Sequence, residues 1–277
     1  MAPPKAKPYV LPTDFNLPAS PAPFDASPVV GESPARAASV SSPRRTRAVQ
    51  GSSLGGLTFI TLRAADPVIQ YLIYKQGWGH AVFGLFGLTA ATPHIGILSP
   101  RQKLFVGFAA VGAARHVFWF LSIRESPMSA LNAIHVTVFN LIADTSNTLL
   151  SLAIPGWHLS TYQLIGSAMF AIGSAIETLS ELQRKWFRRK PENRNAIVDV
   201  GLWRVARHIN YAGYVLWRGG YAVSTANLYA AWNPLMHLWD FSVRGIPVLE
   251  HYMALKHKEK WVEHKQTVPY KLIPFIW

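Results

Sequence analysis

The sequence contains no cysteine among its 277 residues. A disulfide framework, a zinc site built on thiolates and a cysteine nucleophile are therefore excluded. Charged residues are also scarce, at 15% of the chain. The ten histidines neither cluster at metal-ligand spacings nor form an HExxH motif, so the sequence gives no reason to expect a bound metal.

Apolar and aromatic residues dominate instead. Half of the residues are hydrophobic, ten are tryptophan, and the mean hydropathy is +0.15. Such a chain is more apolar than an ordinary soluble domain of this length. The composition predicts an all-α fold, a polytopic membrane helix bundle.

Six apolar stretches support that fold class, at residues 54–74, 79–98, 104–123, 130–154, 162–182 and 211–232. Because about 20 apolar residues cross a hydrocarbon core of about 30 Å, we expect roughly five to seven membrane-associated helices and no strands. Residues 1–50 are rich in Pro, Ala and Ser and predict a disordered tail. The expected organisation is this tail, transmembrane helices over 51–182, and a cofactor-binding region with further membrane helices over 183–277.

The net charge of +13 lies mostly in the last third of the chain. Residues 183–277 carry 15 Lys and Arg against 6 Asp and Glu. Anionic lipid headgroups, a phosphorylated cofactor or nucleic acid could each be the partner of such a region. Nucleic acid is disfavoured because the basic residues are interleaved with bulky apolar ones rather than gathered on a solvated face.

Several polar residues interrupt the apolar stretches. Arg115 and His116 lie within one stretch, and Glu177 lies near the end of another. Asn140 and Asp144, with Asn147, recur at helical spacing, so they share one helix face. Ionisable groups at membrane depth are costly and face a bundle interior or a wet cavity. The pattern therefore predicts either an interhelical hydrogen-bond network or a substrate cavity with a proton donor.

Residues 181–222 combine basic and aromatic side chains. A dense cationic cluster suited to phosphate comes first: Arg184, Lys185, Arg188, Arg189 and Lys190. Flat rings and hydrogen-bonding groups suited to a cofactor ring follow: Trp203, Arg207, His208, Asn210 and Tyr211. A simple positive belt beside a membrane would not need Asn210 or the regular aromatic interleaving.

The segments "RHINYAG" and "TVPYKLIPFIW" resemble the C-terminal region shared by three groups of membrane enzymes. These are the sterol C14 and C7 reductases, the steroid 5α-reductase-like proteins and the isoprenylcysteine carboxyl methyltransferases. The stretch "ARHINYAGYVLWRGGYA" is most similar to the reductase-like DUF1295-type branch. The resemblance covers about residues 180–277.

The resemblance implies an NADPH-dependent reductase acting on a carbon–carbon double bond of a sterol or another lipophilic substrate. It implies that Arg184 and Arg188 bind the 2′-phosphate of the cofactor. It places the remaining cofactor contacts at Trp203, Arg207, His208, Asn210, Tyr211, Arg244 and Glu250. The candidate proton donors are Tyr211 from the motif, and Asp144, Glu177 and His116 from their expected depth. The resemblance also implies that the membrane helix bundle has a cytosolic-facing C-terminal cofactor pocket and that the protein lies in the endoplasmic reticulum.

Two alternatives stay open at this stage. Tyr211, Gly213 and Trp217 also resemble the pattern of the membrane methyltransferases, which use S-adenosylmethionine. The arginine cluster is the discriminating feature, since S-adenosylmethionine has no phosphate. A non-catalytic membrane protein that binds a lipid is the other alternative.

Overall fold

A computed structural model describes residues 45–94 and 96–277, and it gives the backbone alone for residues 45–53. The described part contains no strand, which confirms the all-α class there. Its α-helices are α1 (Arg45–Lys75), α2 (Trp78–Leu85), α3 (Pro100–Ser122), α4 (Ala130–Leu152), α5 (Thr161–Arg189), α6 (Ile209–Ser224), α7 (Trp232–Asp240), α8 (Ile246–His257) and α9 (Glu259–Thr267). The predicted disordered tail, residues 1–50, lies almost wholly outside the described residues and stays a prediction.

Polar caps determine where the long helices begin. The Ser99 side chain accepts a hydrogen bond from the Gln102 backbone at 3.1 Å, and the Gln102 side chain accepts one from the Ser99 backbone at 2.9 Å. Ser160 and Gln163 form the same capping box at the start of α5. Each box satisfies backbone N–H groups that the first helical turn leaves without a partner.

The predicted apolar segments match α3, α4 and α5 well and the neighbouring regions less well. Residues 79–98, expected to form one helix or two half-helices, form α2 followed by turns in which Gly87 and Gly96 have positive φ. α5 continues past its apolar stretch to Arg189, so the basic cluster lies on the end of a long helix. Lys258, at φ 49°, separates α8 from α9.

α5 and α6 pack with their backbones in direct contact. A β-carbon on Gly213 would lie 2.6 Å from the Glu177 nitrogen, and one on Gly173 would lie 2.7 Å from the Gly213 oxygen. Gly166 and Gly220 make the same close approach nearer the other end of the pair. We call these four residues the glycine seam. The sequence predicts this close packing, because small residues recur along α5 at Gly166, Ser167, Gly173 and Ser174, and the structure confirms it. The packing sets Glu177 and Glu181 beside the start of α6.

Aromatic side chains fill the space between α3 and the α5–α6 pair. The rings of Phe108 and Phe170 stack at 4.4 Å, and Tyr221 and Trp217 contact them edge-on. α1 packs across α3 and α4 on the opposite side. These contacts hold α3 against the helices that carry the candidate site.

The distribution of polarity differs from that of a soluble protein, because many charged and amide groups are buried beside the aromatic core while large apolar side chains lie on the surface. Fully buried groups include Arg63, Asp66, Asn140, Asp144 and Arg218, whereas large apolar side chains such as Leu57, Leu121, Leu131, Ile142, Leu164 and Ile172 are exposed. Charges that are buried in this way are expected to be paired.

The buried charges do form a network between helices. Arg218 donates to Asp144 at 2.9 Å and also to Asn140, while Arg63 donates to Asp66 at 2.6 Å. The interhelical network predicted from the sequence is therefore present. Asp144 pairs with Arg218 and Arg63 rather than with Arg115.

By length and hydropathy, α3 is the one helix in the described residues that could cross a membrane. The polytopic arrangement, the cytosolic orientation of the pocket and the division of the chain at residue 182 stay predictions.

Candidate functional site

An open cavity of about 330 Å³ lies where the basic end of α5 meets the end of α3 and the loop that follows it. We call it the vestibule. Its walls are Trp119, Ile123, Arg124, Glu125, Ser126, Glu181, Arg184, Lys185 and Arg188. Ligand pockets span about 300–1,000 Å³, so the vestibule is at the small end of that range.

Protein groups already occupy part of the cationic cluster in the vestibule. Arg184 donates to the carboxylate of Glu181, and Lys185 donates to the backbone oxygen of Ser122. Asn210, from the motif on α6, donates to the other oxygen of Glu181 at 3.0 Å. Arg188 makes no hydrogen bond or ion pair within the described residues. The cluster is thus part of a mixed acidic and basic surface rather than a purely cationic one.

A second cavity of about 50 Å³ lies deeper between the helices. We call it the inner chamber. It shares Trp119, Ile123 and Glu181 with the vestibule, so the two cavities meet at these residues. Its other walls are Phe59, Arg115, His116, Phe118, Val136, Asn140, Glu177, Thr178, Asn210, Tyr211, Tyr214 and Phe241.

Glu177 and Arg115 form the charged wall of the inner chamber. Glu177 accepts hydrogen bonds from Arg115 and, at 2.7 Å, from the indole nitrogen of Trp217. Arg115 also donates through Nε to Thr178 Oγ1 at 3.2 Å. Its Nη1 atom and the neighbouring His116 Nδ1 are buried without a hydrogen-bond partner among the described residues. Buried polar atoms of this kind are uncommon and call for an explanation.

Aromatic rings close the α6 side of the inner chamber. The Tyr211 ring stacks on Phe241 at 4.2 Å and on His208 at 5.9 Å. Phe241 opens the π-helical turn Phe241–Gly245, and the wider backbone of this turn follows α7 directly. The Tyr214 hydroxyl lies 3.2 Å from His237 Nε2 and accepts hydrogen bonds from Arg218.

Arg207, His208 and Glu250 form a separate cluster that holds the C-terminal segment. Glu250 accepts from Arg207 at 2.8 Å and lies 3.2 Å from His208 Nε2. Arg207 also donates to the backbone oxygens of Val268 and Pro269, at 2.6 and 3.0 Å. We call these three side chains, with the carbonyls they bind, the tail clasp. Every charge in the tail clasp has a partner, and this pairing explains how a charged pair can be buried at this point.

The tail clasp shifts two pKa values. Burial lowers the pKa of His208, and the hydrogen bond that His208 donates to Glu250 only partly opposes this effect. Burial acts to raise the pKa of Glu250, but the hydrogen bonds and charges of His208 and Arg207 outweigh it and lower the pKa to about 2. At neutral pH the clasp therefore contains an ionised carboxylate and a neutral imidazole.

The structure brings together only some of the site residues predicted from the sequence. Three candidate proton donors, His116, Glu177 and Tyr211, line the inner chamber with Asn210, and Arg184 and Arg188 line the vestibule. Trp203 lies beside the vestibule, where its indole donates to the Ser180 oxygen and the Arg184 guanidinium lies 5.8 Å from its ring.

The other predicted residues lie apart from the two cavities. Arg207, His208 and Glu250 form the tail clasp, and Arg244 pairs with Asp240 one turn earlier. Asp144 belongs to the buried charge network and is not among the residues lining the two cavities.

Sequence reasoning missed Trp119, Phe241 and Glu181 as site residues, and it did not include Arg115 in the site. An apolar stretch gives no sign of which ring will face a cavity, so the two aromatics could not be found. Arg115 could have been found, because it is a cation next to a histidine in an otherwise apolar segment.

Comparison with known proteins identifies the family. A family model described as "Protein of unknown function (DUF1295)" matches residues 125–268. The probable O-methyltransferase ustE of Ustilaginoidea virens is 30% identical over 223 residues, which is 73% of this chain and 78% of that protein.

Two further relatives represent both reaction classes. Protein-S-isoprenylcysteine O-methyltransferase B of Arabidopsis thaliana is 27% identical over 125 residues, covering 43% of this chain and 61% of the relative. Delta(14)-sterol reductase ERG24 of Saccharomyces cerevisiae is 30% identical over 126 residues, covering 40% of this chain and 27% of the relative. The chain therefore belongs to the DUF1295 family, within the steroid 5α-reductase-like superfamily of reductases and methyltransferases.

Proposed function

We propose that this chain is a membrane-bound O-methyltransferase that uses S-adenosylmethionine to methylate an oxygen atom of a lipophilic acceptor. The observation that carries the proposal is the Glu181 carboxylate, whose side chain is 4% exposed and faces both cavities. A carboxylate there attracts a sulfonium or ammonium group and repels a phosphate.

The residues of the vestibule fit S-adenosylmethionine. Glu181, oriented by Asn210, would bind its positive charge. Arg188, which makes no hydrogen bond or ion pair among the described residues, would bind its carboxylate. S-adenosylmethionine is also roughly half the size of NADPH, which suits a vestibule of about 330 Å³.

When bound, S-adenosylmethionine supplies an electrophilic methyl group. The chain's own residues would position the reacting oxygen of the acceptor in the inner chamber, whose volume of about 50 Å³ admits only that end of the molecule. Phe59, Val136 and Phe241 would exclude water there. The Glu177 carboxylate, which lines the chamber, would accept the proton of an acceptor hydroxyl. His116 and Tyr211, which line the same chamber, would orient the acceptor.

The relatives support this choice between the two reaction classes. The relative that aligns over 73% of this chain bears the name of a probable O-methyltransferase, whereas the sterol reductase aligns over 40%. We therefore place methyl transfer ahead of the reduction that the motifs first suggested.

Binding to the purified protein in detergent tests the proposal. We expect S-adenosylmethionine and S-adenosylhomocysteine to bind and NADPH not to bind, in titration calorimetry. Glu181→Gln should weaken the binding of S-adenosylmethionine by about tenfold, or about 1.4 kcal/mol. It should weaken the binding of S-adenosylhomocysteine less, because that molecule lacks the sulfonium charge. Glu192→Gln, at an exposed position in a turn, is the matched control and should change neither affinity.

NADPH-dependent reduction is the second candidate, favoured by Arg188 and the sterol reductase alignment. In that case Arg184 and Arg188 would bind the 2′-phosphate and Tyr211 would donate the proton. Binding of NADPH, with its preference over NADH lost in Arg188→Gln, would overturn the methyltransferase proposal and support this one. Binding of neither cofactor would support a non-catalytic lipid-binding protein.

A further inference from the structure

We infer that residues 272–277 form a membrane anchor, a closed turn that inserts the side chains of Phe275 and Ile276 into a bilayer with anionic headgroups. We call these six residues the anchor turn. None of them lines the vestibule or the inner chamber, so the inference goes beyond the proposed reaction. It rests on the proposed function only for the placement of the chain in a membrane.

The first step is the fold of the anchor turn. The backbone nitrogens of Leu272 and Ile273 donate to the Trp277 oxygen at 2.9 and 3.0 Å, and the Trp277 nitrogen donates to the Ile273 oxygen at 3.0 Å. Phe275, at the tip, has φ 65°, a conformation that large side chains rarely adopt. The hydrogen bonds therefore hold the turn in a defined conformation.

The second step is the exposure of the tip. Phe275 and Ile276 are 82% and 79% exposed, whereas Leu272 at the base of the turn is buried in the hydrophobic core. The turn is thus fixed to the protein while its two outermost side chains contact nothing that shields them from solvent. Single exposed apolar residues are ordinary, but adjacent large ones mark a surface that meets protein or lipid.

The third step is the height of the anchor turn along α5. This helix begins at Thr161, and with a rise of about 1.5 Å per residue it extends about 29 Å by Ser180, close to the thickness of a hydrocarbon core. The Trp203 indole donates to the Ser180 oxygen at 2.7 Å, and Tyr270 packs against the apolar cluster that contains Trp203. The anchor turn, which starts two residues after Tyr270, therefore lies near the level at which α5 leaves the bilayer.

The fourth step is the charge beside the tip, which favours lipid over a protein partner. The Lys271 ammonium lies 5.3 Å from the centre of the Trp277 ring. Residues 251–277 carry five lysines against two glutamates. Aromatic rings at headgroup level, together with lysines that attract anionic headgroups, are typical of a membrane surface. An anionic bilayer thus complements both the apolar tip and its basic flank.

Spin labelling of the protein in nanodiscs tests the inference. Because the chain contains no cysteine, an introduced cysteine is its only labelling site. Ile276→Cys and Phe275→Cys place labels on the tip. Ile172→Cys, exposed midway along α5, is the hydrocarbon reference, and Glu192→Cys, in an exposed turn, is the water reference. The measured quantity is the collision rate of each label with oxygen, which concentrates in hydrocarbon, relative to that with a water-soluble nickel chelate.

We expect both tip labels to collide more with oxygen than with the nickel chelate, as the label on Ile172→Cys should. They should also lie deeper in discs that contain phosphatidylglycerol than in discs of phosphatidylcholine alone. Lys271→Gln should reduce this difference in depth. Lys103→Gln, at an exposed position near the start of α3, is the matched control and should leave it unchanged.

Tip labels as accessible to the chelate as the label on Glu192→Cys would overturn the inference. Labels shielded from both reagents would also overturn it, because protein would then cover the turn. Equal depth in the two lipid compositions would overturn the assignment of anionic headgroups. The Tm of each labelled variant checks that it is folded, and the second tip position keeps the test decisive if one variant does not fold.

The label on Ile172→Cys separates failure of the anchor from failure of the membrane placement. If this label reports hydrocarbon while the tip labels report water, the membrane placement stands and the anchor fails. If all of them report water, both fail.

Discussion

At the scale of single residues, Arg218 shows how geometry as well as charge stabilises the interior. The side chain is fully buried and donates to three different groups: the Asp144 carboxylate, the Asn140 amide oxygen and the Tyr214 hydroxyl. Only a guanidinium fork can reach acceptors in such different directions. A buried ion pair of this kind is strongly destabilising when one partner is lost.

Arg218→Lys should therefore lower the stability although it keeps the positive charge. A single ammonium cannot satisfy all three acceptors, and each one left unpaired costs about 1–3 kcal/mol. Thermal unfolding in detergent measures the effect. Arg194→Lys, at an exposed position, should leave the Tm unchanged, and an equal Tm for Arg218→Lys would contradict the prediction.

The tail clasp predicts a specific dependence of stability on pH. The pKa values of His208 and Glu250 are both lower in the folded protein than their ordinary values of 6.5 and 4.5. For each group, the unfolded state therefore binds more protons at any pH between its folded and its ordinary pKa. Their contribution to stability is complete above about pH 6.5 and is lost as the pH falls, first through His208 and then through Glu250.

The Tm in detergent, measured between pH 7.5 and 5, should fall, and His208→Gln should reduce the slope over this range. Other histidines also titrate in the interval, so the difference between wild type and variant is the relevant quantity. If His208→Gln leaves the slope unaltered, the pH dependence arises from those other histidines and not from the tail clasp.

At the scale of secondary structure, the glycine seam fixes the distance between α5 and α6. Because the backbones touch, the start of α6 presents Asn210 to Glu181 with little freedom to shift. The Trp217 indole reaches Glu177 across the same interface. The seam therefore positions the polar groups of both cavities.

Gly173→Ala should destabilise the protein by about 1–3 kcal/mol, because the added methyl group would force the two helices apart. Gly107→Ala is the matched control. Gly107 also lies within a helix, α3, but has open space around it, and alanine there should be neutral or stabilising by up to about 1 kcal/mol. A loss of S-adenosylmethionine binding in Gly173→Ala, measured below its Tm, would link the seam to the vestibule.

At the scale of the whole molecule, the polarity is arranged for a lipid environment. Charges and amides lie inside, and leucine, isoleucine and aromatic side chains of α1, α4 and α5 face outward. In water these faces would be an aggregation hazard, whereas in a bilayer they meet hydrocarbon. The arrangement supports membrane insertion beyond α3, the one helix among those described that meets a length and hydropathy criterion.

The full chain should therefore stay in the membrane fraction after an alkaline carbonate wash and be released only by detergent. Release by carbonate or high salt would indicate a peripheral protein held by its basic C-terminal third. The endoplasmic reticulum location, an expectation from the resemblance, is tested in the same preparation by fractionation with organelle markers.

Local sequence signals predicted much of the fold and part of the site. The small residues of α5 predicted its close packing, and the spacing of Asn140, Asp144 and Asn147 predicted a shared buried face, because both depend on positions within one helix. The ion pairs between helices, such as Arg218 with Asp144, could not be predicted, because a sequence does not give the rotation of one helix against another. The pairing of Arg184 with Glu181 is different, since the two residues lie three apart on α5 and their spacing alone allows the contact.

The glycine seam also bears on how members of this family can diverge. At the four seam positions the backbones of α5 and α6 leave no room for a side chain, so a lineage that acquires a new acceptor cannot change these residues without separating the two helices. Replacements at Phe59, Arg115, His116 and Phe118, on α1 and α3, can reshape the inner chamber without disturbing the seam. The residues at these few positions should therefore indicate which acceptor a related enzyme uses, while glycine is retained at the four seam positions.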